Sequence, residues 1–505
     1  MLGTRRPRPI VGPAVALVLA GCTFTGLADY DTPECDPTLP YAQDPCATVD
    51  VGNASCFRSQ CDPATKRCSV RALDEDKDGD PSIACGGTDC DDRDPKRSGR
   101  LPEICDGIDN DCNAITDDGL LVAKEAAAEK VLAEPREGGA DLTLRAENGK
   151  SGRATYLGAD QDCVRDVTLG SAAEVDNGCT SIRMIGASAP HVRQPQLRTV
   201  GSAKDSTIGI AFVAEGPCTN GNDQLGFFGG NGGGVLGDCG ASLPALASFP
   251  SSTAAVIAFY DARVADRQDP IDGCARATPA FLKVRYVNGA TGATPDIQSS
   301  APTTFDKAMS TSTRPPVFAP IAGGAALLLA SPFGPSAGLW SLTPDAVIVP
   351  LVTSIPALDG ARSVAMTLSD DAKSIAIVAE QGCKPAQSIT LATADFDPTR
   401  SVVGSFRKTV IVAGPVAVAT APAVAWAALR KEWWVSWIDA RQKAMLVRVS
   451  ADGAHAGKPL ELGDANALVL AADSSQPTGS SADPLAFLSR PDRAAIDAVA
   501  VSCPK

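Results

Sequence analysis

Ser436-Trp437-Ile438-Asp439-Ala440-Arg441 precedes Met445-Leu446-Val447-Arg448-Val449-Ser450-Ala451-Asp452-Gly453. The same order occurs earlier, where Ala258-Phe259-Tyr260-Asp261-Ala262-Arg263 precedes Leu282-Lys283-Val284-Arg285-Tyr286-Val287-Asn288-Gly289. Each copy reads as strand, D-A-R turn, strand, then an N-G or D-G turn. The first copy carries a cysteine-containing insertion in its hairpin. Asp370-Asp371-Ala372 sits in a similar strand–turn–strand.

Outward from these hairpins, residues 150–505 keep one texture: short apolar β-type runs separated by Gly, Pro, Asp and Ser. TIGIAFVAEG, GAALLLASPFG and SITLATADFD are examples. Frequent turns between strands of this length indicate a mainly β architecture. Hairpins recurring over some 350 residues predict a β-propeller-like C-terminal domain of about six or seven blades, with two stacked β-sandwiches as the rival. A propeller brings its two ends together. Cys503 is therefore expected to bridge to Cys163 or Cys179. Aromatics are only 5% of the chain, so the core rests on Val, Leu, Ile and Ala. In EWWVSWIDAR, alternation puts Trp433 and Val435 on one face and Trp434 and Ser436 on the other; core packing is the favoured reading over an exposed stacking platform.

Upstream, residues 120–149 open with LLVAKEAAAEKVLAEP, whose helix-forming composition and Pro stop predict a helical linker. Before it, residues 74–118 hold 15 acids and 5 bases, a net −10 out of the protein's −14. Asp74-Glu75-Asp76-Lys77-Asp78-Gly79-Asp80 sets oxygen donors at alternate positions with a Gly for the sharp turn, the pattern by which a loop wraps a hard cation. An EF-hand would place a Glu where Cys85 stands. Closure is therefore expected from Asp89, Asp91, Asp92 and Asp94, then Asp106, Asp109, Asn110 and Asp111, then Asp117 and Asp118. A merely solvated acidic linker is the plain alternative; it would not need ordered Asp-x-Asp spacing with Cys85, Cys90, Cys105 and Cys112 among the acids.

Residues 74–119 resemble the bacterial extracellular metal-binding repeat written D-x-D-G-D, D-C-D-D-x-D-P, then E-x-C-D-G-x-D-N-D-C, named after the copper-binding MopE surface protein. They are also similar to the calcium loops of thrombospondin type 3 repeats. The resemblance covers under a tenth of the chain. Asn113-Ala114 departs from the repeat's Asp-Gly, Asp118 from its Glu, and Ser98-Gly99-Arg100 from its Pro-Gly turn. The resemblance implies metal binding. Carboxylate and carbonyl oxygens suit calcium, and copper fits less well because the segment has no His and no Met.

Seventeen cysteines and only two histidines, His191 and His455, favour disulfides in an oxidising compartment over zinc. Residues 35–70 carry five cysteines and little apolar content, so that region must be stapled. It reads as a rigid knob, with a small protein-binding module as the alternative. The four cysteines of the acidic segment are expected to bridge among themselves. At the start, Arg5, Arg6 and Arg8 precede an apolar run from Ile10 to Ala20, too short to span a bilayer. Leu19-Ala20-Gly21-Cys22 resembles a bacterial lipobox. That resemblance implies a signal peptide at 1–21, a lipid-modified Cys22, a tether at 22–34 and, with Thr23 after the cysteine, outer-membrane sorting.

The remaining signals are weak. Gly232, Gly234 and Gly237 match G-x-G-x-x-G without strand–helix context, so a flexible loop between Cys218 and Cys239 is expected instead of a nucleotide site. His191 and His455 lie near no nucleophile motif, and D-A-R reads as a hairpin lock more readily than as glycosidase carboxylates. The acidic balance argues against nucleic acid as a partner. The expected protein is a lipid-anchored, extracytoplasmic, calcium-binding surface protein. Its partners would be the membrane, through the anchor, and a glycan or protein ligand. A secreted β-propeller hydrolase acting on polysaccharide is the rival.

Overall fold

The computed structural model describes residues 33–132, 142–146, 152–158, 163–169, 176–181, 192–201, 206–214, 224–229, 232–249, 252, 254–261, 280–288, 303–309, 315–321, 327–333, 336–382, 387–413, 422–472, 483–490 and 494–504. The expected signal peptide, Cys22, most of the tether and His191 lie outside them. The chain divides into two compact units, one ending at Ser98 and one beginning at Gly99.

In the first unit, strands Phe57–Asp62 and Arg67–Ala72 form an antiparallel hairpin. Cys35–Cys61 and Cys46–Cys68 staple it to the preceding segment. The small core here is made largely of the cysteines themselves, as expected of a segment with too few apolar side chains. Cys56–Cys85 crosses into the acidic stretch, which accounts for the odd cysteine count of residues 35–70.

Among the described residues, the second unit contains seven antiparallel sheets. The first is Thr143–Ala146, Gly152–Leu157, Cys163–Leu169 and Asp176–Ser181. The second is Val192–Gly201, Ser206–Ala214, Gln224–Gly229 and Gly232–Cys239. The third is Ala241–Ser248, Ala254–Asp261, Ala280–Asn288 and Thr303–Met309. The fourth is Val317–Pro320, Leu327–Phe333, Ser336–Leu342 and Ile348–Ile355. The fifth is Ala361–Leu368, Ser374–Gln381 and Ser388–Asp397, edged by Val402–Val403 and Arg407–Ala413. The sixth is Ala423–Ala427, Glu432–Ile438, Lys443–Ser450 and Leu460–Asp464. The seventh is Ala467–Ala471, Leu485–Ser489 and Ala495–Ser502, completed by Val122–Val131 from far upstream. Each sheet's first strand touches the first strand of the next, and the seventh touches the first. A closed ring of radial meanders with their first strands innermost is a seven-bladed β-propeller, and it excludes the stacked sandwiches.

Core packing follows strand alternation. Trp433, Val435 and Trp437 enter the cluster shared with the fifth sheet, while Trp434 and Ile438 enter the cluster shared with the seventh. One strand thus feeds both of its blade's interfaces.

Three expectations are corrected. Residues 122–131 form a strand, not a helix, hydrogen-bonded to Ala495–Ser502 with register shifts. Pairing with a preformed edge outweighs helix propensities of a few tenths of a kcal/mol per residue, and the Lys and Glu side chains that suit a helix also suit an exposed edge strand. Secondly, Cys503 bridges to Cys105, not to Cys163 or Cys179, because the closing strand comes from upstream and brings the segment before it alongside. With Cys85 and Cys105 paired outside the acidic segment, its four cysteines do not form a closed set. Thirdly, the glycine-rich run is a β-hairpin pairing Gln224–Gly229 with Gly232–Cys239, not a flexible loop. A side chain at Gly226 would collide with the Phe212 ring.

Candidate metal centre

The acids of residues 74–98, in the first unit, build one cluster around a loop that hydrogen-bonds to its own backbone. Asp74 accepts from the amides of Lys77 at 2.6 Å and Gly79 at 2.9 Å. Asp76 Oδ1 accepts from Asp78 N at 3.1 Å, and Asp78 Oδ1 from Asp80 N at 2.7 Å. Lys77 and Gly79 both lie at positive φ, 68° and 99°, which curls the loop so that alternate carboxylates converge. Oxygen atoms of Asp74, Asp76 and Asp78 come within 4.8 Å of one another. Asp89 reaches the same neighbourhood after the turn at Ile83–Cys85; its Oδ1 accepts from Asp91 N at 2.7 Å.

What remains on these residues is unusual. Asp76 Oδ2, Asp78 Oδ2 and Asp89 Oδ2 are buried and have no hydrogen-bond donor among the described residues, and Asp89 is 1% exposed. Burial, then the charges of Asp78, Asp74 and Asp92, pushes the Asp76 carboxyl above its ordinary range. Burial and the charges of Asp76, Asp78 and Asp92 do the same to Asp89. Like-charged oxygens facing one another without donors are a costly arrangement, and a hard cation with oxygen ligands is the group that relieves it.

The other expected acids take supporting positions. Asp80 is buried, accepting from Thr88 N at 3.1 Å, from the Thr88 hydroxyl and from Ser98 Oγ at 2.9 Å. Asp92 Oδ1 accepts from Glu75 N at 3.0 Å and so ties the two ends of the loop together. Asp91 pairs with Arg97 at 3.3 Å, and Asp94 Oδ1 accepts from Lys96 N at 3.3 Å.

A second cluster, in the second unit, gathers Glu103, Asp109 and Asp111, again with oxygens within 4.8 Å. Glu103 Oε1 accepts from Asn110 N at 2.6 Å and Asp111 N at 2.9 Å, while its Oε2 is buried without a donor among the described residues. Burial and the Asp111 and Asp109 charges push Glu103 up. Asp109 receives the amides of Asn113 and Ala114 at 3.1 and 2.8 Å. Asn110 is buried and closes the loop by accepting from Ile104 N at 2.9 Å. Asp106 accepts from Ile108 N at 3.0 Å, a turn role outside the cluster. Glu103 was not among the expected ligands; it is the first residue of the E-x-C-D-G pattern, so its signal lay in the motif.

Both clusters offer oxygen alone. Neither contains His or Met, and Cys85, Cys90, Cys105 and Cys112 are all oxidised. The donor set therefore suits a hard cation better than copper.

The D-A-R residues serve the fold. Asp439 Oδ1 accepts from the amides of Arg441 and Lys443 at 2.8 and 3.0 Å, and its Oδ2 pairs with Arg441. Asp261 ends its strand buried and paired with Lys283. His455 is exposed beside its turn, where its carbonyl accepts from Ser450 N.

Residues 89–118 match the family model for the copper-binding MopE type, described as a "Putative metal-binding motif". No curated protein matches the chain. Among solved structures it is similar to the β-propeller domain of Nup133 from Vanderwaltozyma polyspora, at 12% identity and TM-score 0.39, covering 76% of this chain and 100% of that one. An alpha-L-arabinanase from Penicillium chrysogenum matches at 12% identity and TM-score 0.37, covering 74% and 98%. TolB from Acinetobacter baumannii matches at 11% identity and TM-score 0.29, covering 65% of this chain and 66% of that one. The propeller assignment stands on the sheet order and the closure of the ring.

Proposed function

We propose that this protein binds calcium through the two acidic loops and is held at the outer cell surface by lipid on Cys22, presenting the propeller to an external glycan or protein. The observation that carries the calcium reading is the set of buried carboxylate oxygens without donors, Asp76 Oδ2, Asp78 Oδ2, Asp89 Oδ2 and Glu103 Oε2. Calcium takes six to eight oxygens at about 2.3–2.6 Å, more than either triad supplies, so backbone carbonyls and water complete each shell. Four disulfides linking named pairs belong to an oxidising compartment, which supports an exported protein.

Binding is favoured over polysaccharide hydrolysis for a specific reason. The seven innermost strands contain neither Asp nor Glu. A glycosidase needs two carboxyls about 5–9.5 Å apart, and the strand walls facing the centre supply none. Titration calorimetry on the detergent-solubilised full chain tests the metal. Calcium is expected to bind at two sites, and no heat at millimolar calcium, or copper outcompeting it, overturns the reading. Mass spectrometry tests the anchor, with a diacylated Cys22 as the expected mature N-terminus and an unacylated terminus elsewhere as the contrary result. A glycan and protein array addresses the propeller's ligand.

A further inference from the structure

The second acidic loop is built into the propeller's closure. Cys105, inside the loop, is bonded to Cys503, just past the strand Ala495–Ser502. The loop's own exit leads directly into Val122–Val131, the strand that pairs with Ala495–Ser502 and completes the seventh sheet. Asp117 joins loop to ring. It is 1% exposed; its Oδ1 accepts from the amides of Asp106 and Gly107 at 3.0 Å each. Its Oδ2 receives Arg430 Nη1 at 2.6 Å, and Arg430 Nε also pairs with Asp483 at 3.0 Å. Arg430 stands in the hairpin turn of the sixth sheet and Asp483 just before the second strand of the seventh. Arg448, from the sixth sheet, donates to the carbonyls of Thr116 and Asp117. The amides that Asp117 holds follow Glu103 by three and four residues, and Glu103 in turn gathers the amides of Asn110 and Asp111.

We infer that a cation held by Glu103, Asp109 and Asp111 acts as a clasp on the ring, its occupancy transmitted through Asp117 and Arg430 to the closing sheet. The inference rests on the calcium reading of the second loop. Without the cation, Glu103, Asp109 and Asp111 repel one another and loosen the turn whose amides Asp117 holds. With it, the loop is fixed, Asp117 keeps Arg430 in place across the sixth and seventh sheets, and Val122–Val131 stays on its partner. Every one of these contacts lies within the second unit. Calcium should therefore control the closing strands through one cluster and not the other.

Hydrogen exchange on the full chain, with calcium or with chelator, reads this directly. Calcium should slow exchange in 122–131 and 495–502 at least tenfold and leave the fifth sheet's 361–368 unchanged. Glu103→Gln should lose one calorimetric equivalent of calcium and the slowing together. Asp76→Ala with Asp78→Ala should lose an equivalent and keep the slowing. Asp117→Asn should keep both equivalents and lose the slowing. The wild-type comparison needs no variant to fold. If Glu103→Gln loses an equivalent but the wild-type closing strands are indifferent to calcium, the clasp is wrong and the calcium reading stands. If Glu103→Gln loses no equivalent, the second site and the clasp fall together. Slowing that survives in Asp117→Asn refutes the route.

Discussion

At Ala114 the backbone sits at φ 67°, in the left-handed region where a Cβ costs about 1–2 kcal/mol. The resembling repeat has Gly there. The loop imposes this conformation because Asp109 must receive the amides of both Asn113 and Ala114. Ala114→Gly should therefore stabilise the protein by roughly 0.5–1 kcal/mol, the relieved strain outweighing the extra freedom of Gly in the unfolded chain. Denaturant melts in saturating calcium would show it, and a lower midpoint would refute it. Glu432 makes a second residue-scale case. It is fully buried on a central strand, accepting from Trp434 Nε1 at 2.9 Å and Arg448 Nη1 at 3.2 Å. Burial, against the pull of Arg448, pushes its carboxyl up to about 7. The folded state thus holds a proton that the unfolded state releases near its ordinary value of about 4.3. Between those values the native protein binds more protons, so this group's stabilisation is present below the lower value and lost as pH rises through about 7. Glu432→Gln keeps a hydrogen-bonding oxygen but cannot titrate. The stability of the wild type relative to this variant should fall from pH 5 to pH 8 at constant saturating calcium; a flat difference would place the carboxyl at its ordinary value.

Among the elements, the acidic loop at 74–98 contrasts most sharply with the ring. It has almost no apolar core, and three of its buried oxygens lack donors among the described residues, so the binding free energy of a cation held there would become its folding free energy. Chelator should make this stretch protease-sensitive while the propeller outside its closing strands resists, and Asp76→Ala with Asp78→Ala should reproduce the effect at 74–98 without chelator. Cleavage mapped by mass spectrometry checks it; equal resistance with and without calcium would contradict it. The convergence of Asp74, Asp76 and Asp78 was legible in sequence, because alternation around a Gly turn brings successive carboxylates to one side. Trp433, Trp434 and Trp437 were legible too, since period-two alternation assigns them to opposite faces, and both faces are buried here. Val122–Val131 was not legible. Its composition favours a helix, and only the unpaired edge of Ala495–Ser502, more than 300 residues away in the sequence, makes it a strand. Glu103 was missed for a related reason. The E-x-C-D-G pattern marked its position, but its role depends on the amides of Asn110 and Asp111 folding back onto it, which alternate-acid spacing does not disclose.

For the whole molecule, the issue is how a ring of seven sheets avoids opening at its seam. Six sheets are contiguous meanders, but the seventh borrows Val122–Val131 from the far side of the sequence. If that strand leaves, the ring loses its last ladder and exposes an edge along Ala495–Ser502 that is open to pairing with another chain. The Cys105–Cys503 bridge guards this seam by closing a span of 398 residues. Chain-entropy reasoning assigns a bridge over 398 residues roughly 6 kcal/mol as a ceiling, because the other bridges already shorten the unfolded chain. Most of the loss should appear as opening at the seam, since the other six sheets keep their own hydrogen bonds and interfaces. Cys105→Ala with Cys503→Ala is therefore expected to cost about 3–5 kcal/mol. Exchange should accelerate first in 122–131 and 495–502, and dimers or higher oligomers should form as concentration rises. Thermal melts, hydrogen exchange and light scattering would read the three effects. If stability falls equally in all seven sheets with no preference for the closing strands, the bridge is a general staple and the seam is held by its ladder alone.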